Sequence, residues 1–225
     1  MAGRSEAQII AMVDVSRRAR LAALASNRQS CGCGARRKRS AGDEGGKMKG
    51  AGELVLYLDF DGVLHHENCR YHPRRGAYLE APDRYSLFQH APLLEQLLAP
   101  YPDLQIVLST SWVLRYGCAD TAKRLPSTLQ ARVIGATFHS RYMNDDDFRY
   151  MPRGKQVTED AMRRRPRGWL AVDDNDEGWP PEHKHRHILT HMYEGIGAPA
   201  VRAEFEQKLK QMCTPPCFSS AGPQF

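Results

Sequence analysis

Three apolar runs in this chain stop abruptly in polar residues, and that pattern limits its fold more than any other. "LVLYL" (54–58) runs into Asp59 and Asp61, "LQIVL" (104–108) into Ser109 and Thr110, and "GWLAV" (168–172) into Asp173 and Asp174. Short apolar runs of this kind read as strands buried on both faces. Helical patterns lie between them: "APLLEQLLAPY" (91–101), with Pro92 suited to a first turn, a helix around 118–131, and "GKQVTEDAMRRR" (154–165). Shorter strands are predicted at "RVIGAT" (132–137) and "HRHILT" (185–190), and a last helix at "APAVRAEFEQKLKQM" (198–212). Strands alternating with helices predict an α/β fold of three layers, a mostly parallel sheet with helices on both faces. Ligands of such sheets gather at the carboxyl ends of the strands, where the polar residues stand.

Charge is distributed unevenly. Residues 1–50 hold eleven Lys or Arg against four Asp or Glu, a charge of +7, whereas the rest hold twenty-one against twenty-two, a charge of −1. The basic character therefore belongs to the N-terminal segment, and it gives no reason to read the body of the protein as a nucleic-acid binder. That segment, 1–50, is expected to be a disordered basic tail, with a start at Met48 as an alternative. A folded domain is expected over 51–213 and a flexible tail over 214–225. No apolar run reaches the length of a membrane span, and the six cysteines form no disulfide framework, so a cytoplasmic protein with reduced thiols is expected. Zinc shared by Cys31, Cys33, Cys213 and Cys217 is disfavoured by their spacing.

Taken in order, "LYLDFDGVL", "IVLSTSW", "GK" opening a helix and "LAVDD" resemble the four motifs of the haloacid dehalogenase (HAD) superfamily of phosphatases and phosphotransferases. The resemblance covers about residues 53–212 and looks closest to the small HAD domains associated with nucleic-acid repair proteins. It implies a Rossmann-like sheet and a magnesium-dependent phosphatase. By that resemblance Asp59 is the nucleophile that forms an aspartyl-phosphate, and Asp61 is the residue that protonates the leaving oxygen and then activates water. Ser109, or Thr110 by register, donates to a phosphate oxygen. Lys155, or Arg153 in its place, holds the phosphate and steadies Asp59. Asp59, Asp61, Asp173 and Asp174 are the expected magnesium ligands, Asp61 through its carbonyl, with Asp176 a further candidate. Gly62 permits the sharp turn that follows the first pair. The alternative is a regulatory, phosphate-binding module of the same fold.

Other features have plainer readings. His65 and His66 are expected in a solvent-facing loop, the histidines of "HKHRH" (183–187) on a strand or surface, "RRRPR" (163–167) at the solvated end of a helix, and Trp112 and Trp169 near the core. The insert between the first strand and the helix at 91 is too short for a sizeable cap, so the site is expected to be open. An open site suits a bulky phosphorylated substrate: a nucleotide, a nucleic-acid end or a phosphoprotein. Arg70, Arg74, Arg75, Tyr71 and Tyr78 in this insert mix cations with stacking rings, which fits nucleic acid.

Overall fold

The computed structural model describes residues 48–214. Five parallel strands form one sheet, β1 (Leu54–Leu58), β4 (Gln105–Leu108), β5 (Val133–Ala136), β6 (Gly168–Asp173) and β7 (His187–Leu189), in the order β5-β4-β1-β6-β7. The chain leaves β1 for β4 and β5 on one side, then crosses to β6 and β7 on the other. The carboxyl end of β1 is therefore a topological switch point, the place where such sheets open a crevice.

Every residue of β1 is buried, which explains its unbroken apolar character. Leu54, Leu56 and Leu58 face one layer, together with Leu94 and Leu98 of α1 (Ala91–Leu98) and Phe205 and Leu209 of α6 (Pro199–Cys213). Val55 and Tyr57 face the other layer, with Val157 and Ala161 of α5 (Arg153–Arg164). The sheet is thus covered on both sides, and the α/β Rossmann-like fold stands as expected. Trp112 and Trp169 are both buried, Trp169 meeting Tyr57 edge to face at 5.8 Å. Cys69, Cys118 and Cys213 are free thiols. No helix among the described residues is long and apolar enough to cross a membrane.

The differences from the sequence reading have local causes. The helix expected at 118–131 is two elements, α2 (Trp112–Ala122) and α3 (Ser127–Gln130). Pro126 stands between them with an extended ψ of 149°, and Gly117, at φ 75°, interrupts α2. The long loop after β1 contains an antiparallel ribbon, β2 (Cys69–His72) and β3 (Gly76–Leu79), turned at Gly76 with φ +76°. The loop before α5 contains α4 (Asp145–Tyr150), capped by Asn144, whose side chain accepts from the Asp147 amide at 2.8 Å. Most of "HKHRH" is a 3₁₀ turn (Pro181–Arg186) rather than strand, and His183 and His187 pack on Trp169 and Trp179.

"RRRPR" is not simply a solvated helix end. Arg164 is almost wholly buried, with Nε 2.6 Å from Asp160 Oδ2 and its other nitrogens donating to the carbonyls of Lys49 and Ala136. Tyr57 donates its hydroxyl to Asp160 at 3.1 Å. Asp160 lies one turn before Arg164 on the same helix face, so the countercharge is built into the sequence. The bond to Lys49 also ties residues before 51 to the folded body. The rest of the expected N-terminal tail, nearly all of the C-terminal one, and the disfavoured Cys31, Cys33 and Cys217 zinc grouping lie outside the described residues.

Candidate active site

Strand register carries three of the predicted residues to one place. Leu58 pairs with Leu108 on one side and Val172 on the other, so the next residues, Asp59, Ser109 and Asp173, stand side by side. Backbone bonds continue the ladders beyond the paired residues: the Asp59 amide donates to Val172 O at 3.2 Å and the Ser109 amide to Leu58 O at 2.8 Å. All three side chains are buried at the strand ends. Burial pushes the Asp59 carboxyl above its ordinary pKa, Arg153 opposes that rise, and Asp61 adds to it. Burial likewise lifts Asp173 well above its ordinary range, against Arg153 and with Asp59 and Asp174.

Arg153 is the cation at the centre. Its Nη2 donates to Asp59 Oδ2 at 3.1 Å, and its Nε lies 3.0 Å from Asp173 Oδ2. Burial works against its charge, but Asp59, Asp173, Asp174 and Asp61 together raise its pKa above the ordinary arginine value. Lys155, the inward cation expected from the sequence, is exposed and reaches Glu159 at 3.7 Å instead. The reason is helical phase. Residues two apart on a helix point about 200° apart, so only one of Arg153 and Lys155 can face the site. Gly154 decides which: a Cβ there would lie 2.5 Å from Trp179 N, and its amide donates to Glu177 O at 3.0 Å. That docking of the first turn of α5 against the loop after β6 turns Arg153 inward.

Asp61 is held from two sides. His65 Nε2 and Trp112 Nε1 reach its Oδ1 at 3.0 and 3.1 Å. Nδ1 of His65 accepts from the Phe88 amide at 3.4 Å, which leaves Nε2 to donate to Asp61. His65 and His66 are therefore not solvent-facing, being 0% and 5% exposed. Phe88 and Trp112 enclose His65, and Tyr193 stacks on His66 at 4.7 Å. The sequence signal missed here was the "DGVLHH" spacing, which returns His65 to Asp61 across one tight turn. Gly62 has φ +70°, and a Cβ on it would lie 2.3 Å from Asp174 Oδ2, so the close approach of the two loops requires glycine.

The two hydroxyls have different surroundings. Thr110 Oγ1 accepts from the Trp112 amide at 3.4 Å, whereas Ser109 Oγ is buried with no hydrogen-bond partner among the described residues. A buried hydroxyl without a partner is costly, and Ser109 keeps an unused donor at the end of its strand.

Asp59, Asp173 and Asp174 each bring a carboxylate oxygen within 4.8 Å of the others. Asp173 Oδ1 is oriented by the Asn175 amide at 2.9 Å, and Asp176 is exposed and outside the group. Four carboxylates, with Asp61, face one guanidinium here, so a hard divalent cation would offset the excess negative charge. Oxygen donors alone suit magnesium. Asp61, His65 and Cys69 also bring one donor each within 4.8 Å, but a nitrogen and a sulfur do not suit that ion.

The sequence matches a family described as the HAD domain in Swiss Army Knife RNA repair proteins over residues 55–201. No curated protein and no solved structure matches it. The match spans the chain from β1 into α6 and includes Asp59, Asp61, Ser109, Arg153, Lys155, Asp173 and Asp174. With the parallel sheet and the acidic cluster at its switch point, this chain belongs to that HAD family, whose activity is generally the hydrolysis of phosphate esters.

Proposed function

We propose that the protein is a magnesium-dependent phosphomonoesterase working through an aspartyl-phosphate on Asp59. The observation that carries this reading is the placement of buried Asp59 beside Asp173 and Asp174, with Arg153 bridging the first two. In the first step a carboxylate oxygen of Asp59 attacks phosphorus, the bond to the ester oxygen breaks, and Asp61 gives that oxygen its proton. In the second, Asp61 takes a proton from water, the oxygen so freed attacks the same phosphorus, and the acyl-phosphate bond breaks. Inorganic phosphate leaves and both carboxylates return to their starting state. Arg153 holds charge beside the transferring group, and Ser109 Oγ donates to one of its oxygens. Asp59, Asp173, Asp174 and the Asp61 carbonyl would hold magnesium, which neutralises charge on the phosphoryl oxygens.

His65 and Trp112 both engage Oδ1 of Asp61, leaving Oδ2 as the oxygen that carries the proton. The insert after β1 builds only a small ribbon, which supports an open site and a bulky substrate. The RNA repair association of the family supports a phosphorylated RNA end before a phosphoprotein or free nucleotide.

The direct test is hydrolysis of an aryl phosphate by the native protein with magnesium, by the same protein with chelator, and by Asp59→Asn. Turnover only in the first supports the proposal. Equal turnover in all three overturns it, and phosphate binding without turnover in any would leave a binding module.

A further inference from the structure

One face beside the site is built from rings and guanidinium groups, and the proposed reaction uses only its innermost member. Trp112, whose Nε1 reaches Asp61, lies 5.7 Å from the ring of Tyr116 one helical turn later. Tyr116 in turn meets Tyr71 of the ribbon at 6.2 Å. Arg115 lies over the Tyr71 ring at 3.9 Å, and Arg124 over Tyr116 at 4.3 Å. Arg124 also approaches Trp112 at 5.7 Å. The series runs outward from Asp61 to Tyr71, which is 41% exposed.

The nearest carboxylate in sequence, Asp120, pairs with Lys123 at 2.8 Å, and Arg124 acts on it only at longer range. Among the described residues neither Arg115 nor Arg124 forms an ion pair, although both are exposed. An arginine normally finds a carboxylate or water. Here aromatic faces orient both groups while leaving their N–H edges available. The Tyr116 hydroxyl is buried and has no hydrogen-bond partner among the described residues. Cations held at intervals along a line of rings suit a ligand that repeats a negative charge and offers a flat surface at each repeat. A phosphopeptide supplies one strong anion, which the carboxyl-end site already receives, and leaves the two guanidiniums with little to bind.

The geometry points to this face, Tyr116 of α2 and Tyr71 of β2 under Arg115 and Arg124, lying outward of buried Trp112, as a track for single-stranded nucleic acid leading its terminal phosphate to Asp59. The inference rests on the proposed phosphatase reading for the chemistry, and it adds the surface that selects the substrate. Arg115 and Tyr71 lie outside the reacting groups, so they can be changed without touching them.

The experiment compares the native protein with the double variant Arg115→Ala, Tyr71→Ala on two substrates. One is a small aryl phosphate, and the other is a single-stranded RNA of roughly ten nucleotides with a terminal phosphate, tried at either end. The expected result is a fall of about tenfold or more in kcat/KM for the RNA, carried by KM, with the aryl phosphate changed by less than about twofold. Fluorescence anisotropy with Asp59→Asn as background measures RNA binding without turnover. There the double change should weaken binding and flatten its dependence on log salt by about one for each phosphate no longer neutralised. Salt-dependent RNA binding that the double change abolishes, in a protein that hydrolyses nothing, would overturn the phosphatase and keep the track. Unchanged RNA kinetics and binding, equal losses on both substrates, or a phosphopeptide that competes as well as the RNA would each overturn the track while leaving aryl phosphate turnover intact as evidence for the phosphatase.

Discussion

Arg153 Nη2 donates to Asp59 Oδ2 across 3.1 Å, joining the first turn of α5 to the end of β1. A single guanidinium thereby offsets the two most buried carboxylates of the site, Asp59 and Asp173. The same contact explains why the first turn of α5 must be fixed in rotation, and why Gly154 and the loop after β6 are packed so closely.

Replacement of Arg153 should therefore be far more damaging than replacement of Lys155. Arg153→Ala is expected to lower kcat by about 10² to 10³, the scale of losing one preorganised charge-stabilising donor. Lys155→Ala, on the exposed side of α5, should change stability by less than about 0.5 kcal/mol and leave kcat near native. Steady-state kinetics on an aryl phosphate distinguish the two, and a larger loss in Lys155→Ala would contradict the assignment.

The positioning of Asp61 can be tested through its two donors. Trp112→Phe and His65→Phe each remove one N–H from Oδ1 while keeping a ring in place. Each is expected to lower kcat by about tenfold with KM little changed, because the proposed general acid loses orientation rather than substrate contact. A change confined to KM would assign these residues to substrate binding.

Gly62→Ala should be destabilising by about 1–3 kcal/mol, since it places a side chain at positive φ and drives Cβ into Asp174. The midpoint of urea unfolding measures it. The variant should also lose activity beyond its loss of folded protein, because the displaced group is a proposed metal ligand.

The buried cluster behind the sheet predicts a pH dependence. Burial opposes the charge of Asp160, but His139 and Arg164 outweigh it and hold the pKa below the ordinary 3.8. A depressed folded pKa means that the stabilisation is complete above about 3.8 and is lost as pH falls through the folded value. Asp160→Asn should cost about 3–5 kcal/mol at neutral pH, since Arg164 is left buried without its partner. Urea titrations at pH 7 and near pH 3 should show the gap between native and variant narrowing at the lower pH; a gap that widened would contradict the ion pair.

Much of this site was legible because strand ends are legible. Apolar runs that break into acid marked Asp59 and Asp173, and the parallel register did the rest. The choice between Arg153 and Lys155 was not, because it depends on the phase of α5, set by a glycine packed against a loop twenty-four residues later. Nor was the burial of His65, His66 and Arg164, polar residues whose partners Asp61, Tyr193 and Asp160 sit close only after folding or one helical turn away. The helix around 118–131 failed for a simpler reason. Pro126 divides it, and Trp112 starts α2 straight after the strand.

If Asp59 accepts the phosphoryl group, acid quenching during turnover should trap it there. Asp61→Asn, expected to slow the proposed second step, is mixed with an aryl phosphate and magnesium, quenched, digested and read by mass spectrometry. The peptide containing Asp59 should carry one added phosphoryl group, absent when Asp59→Asn is introduced as well. A phosphoryl group on another residue, or sustained turnover by Asp59→Asn, would contradict it.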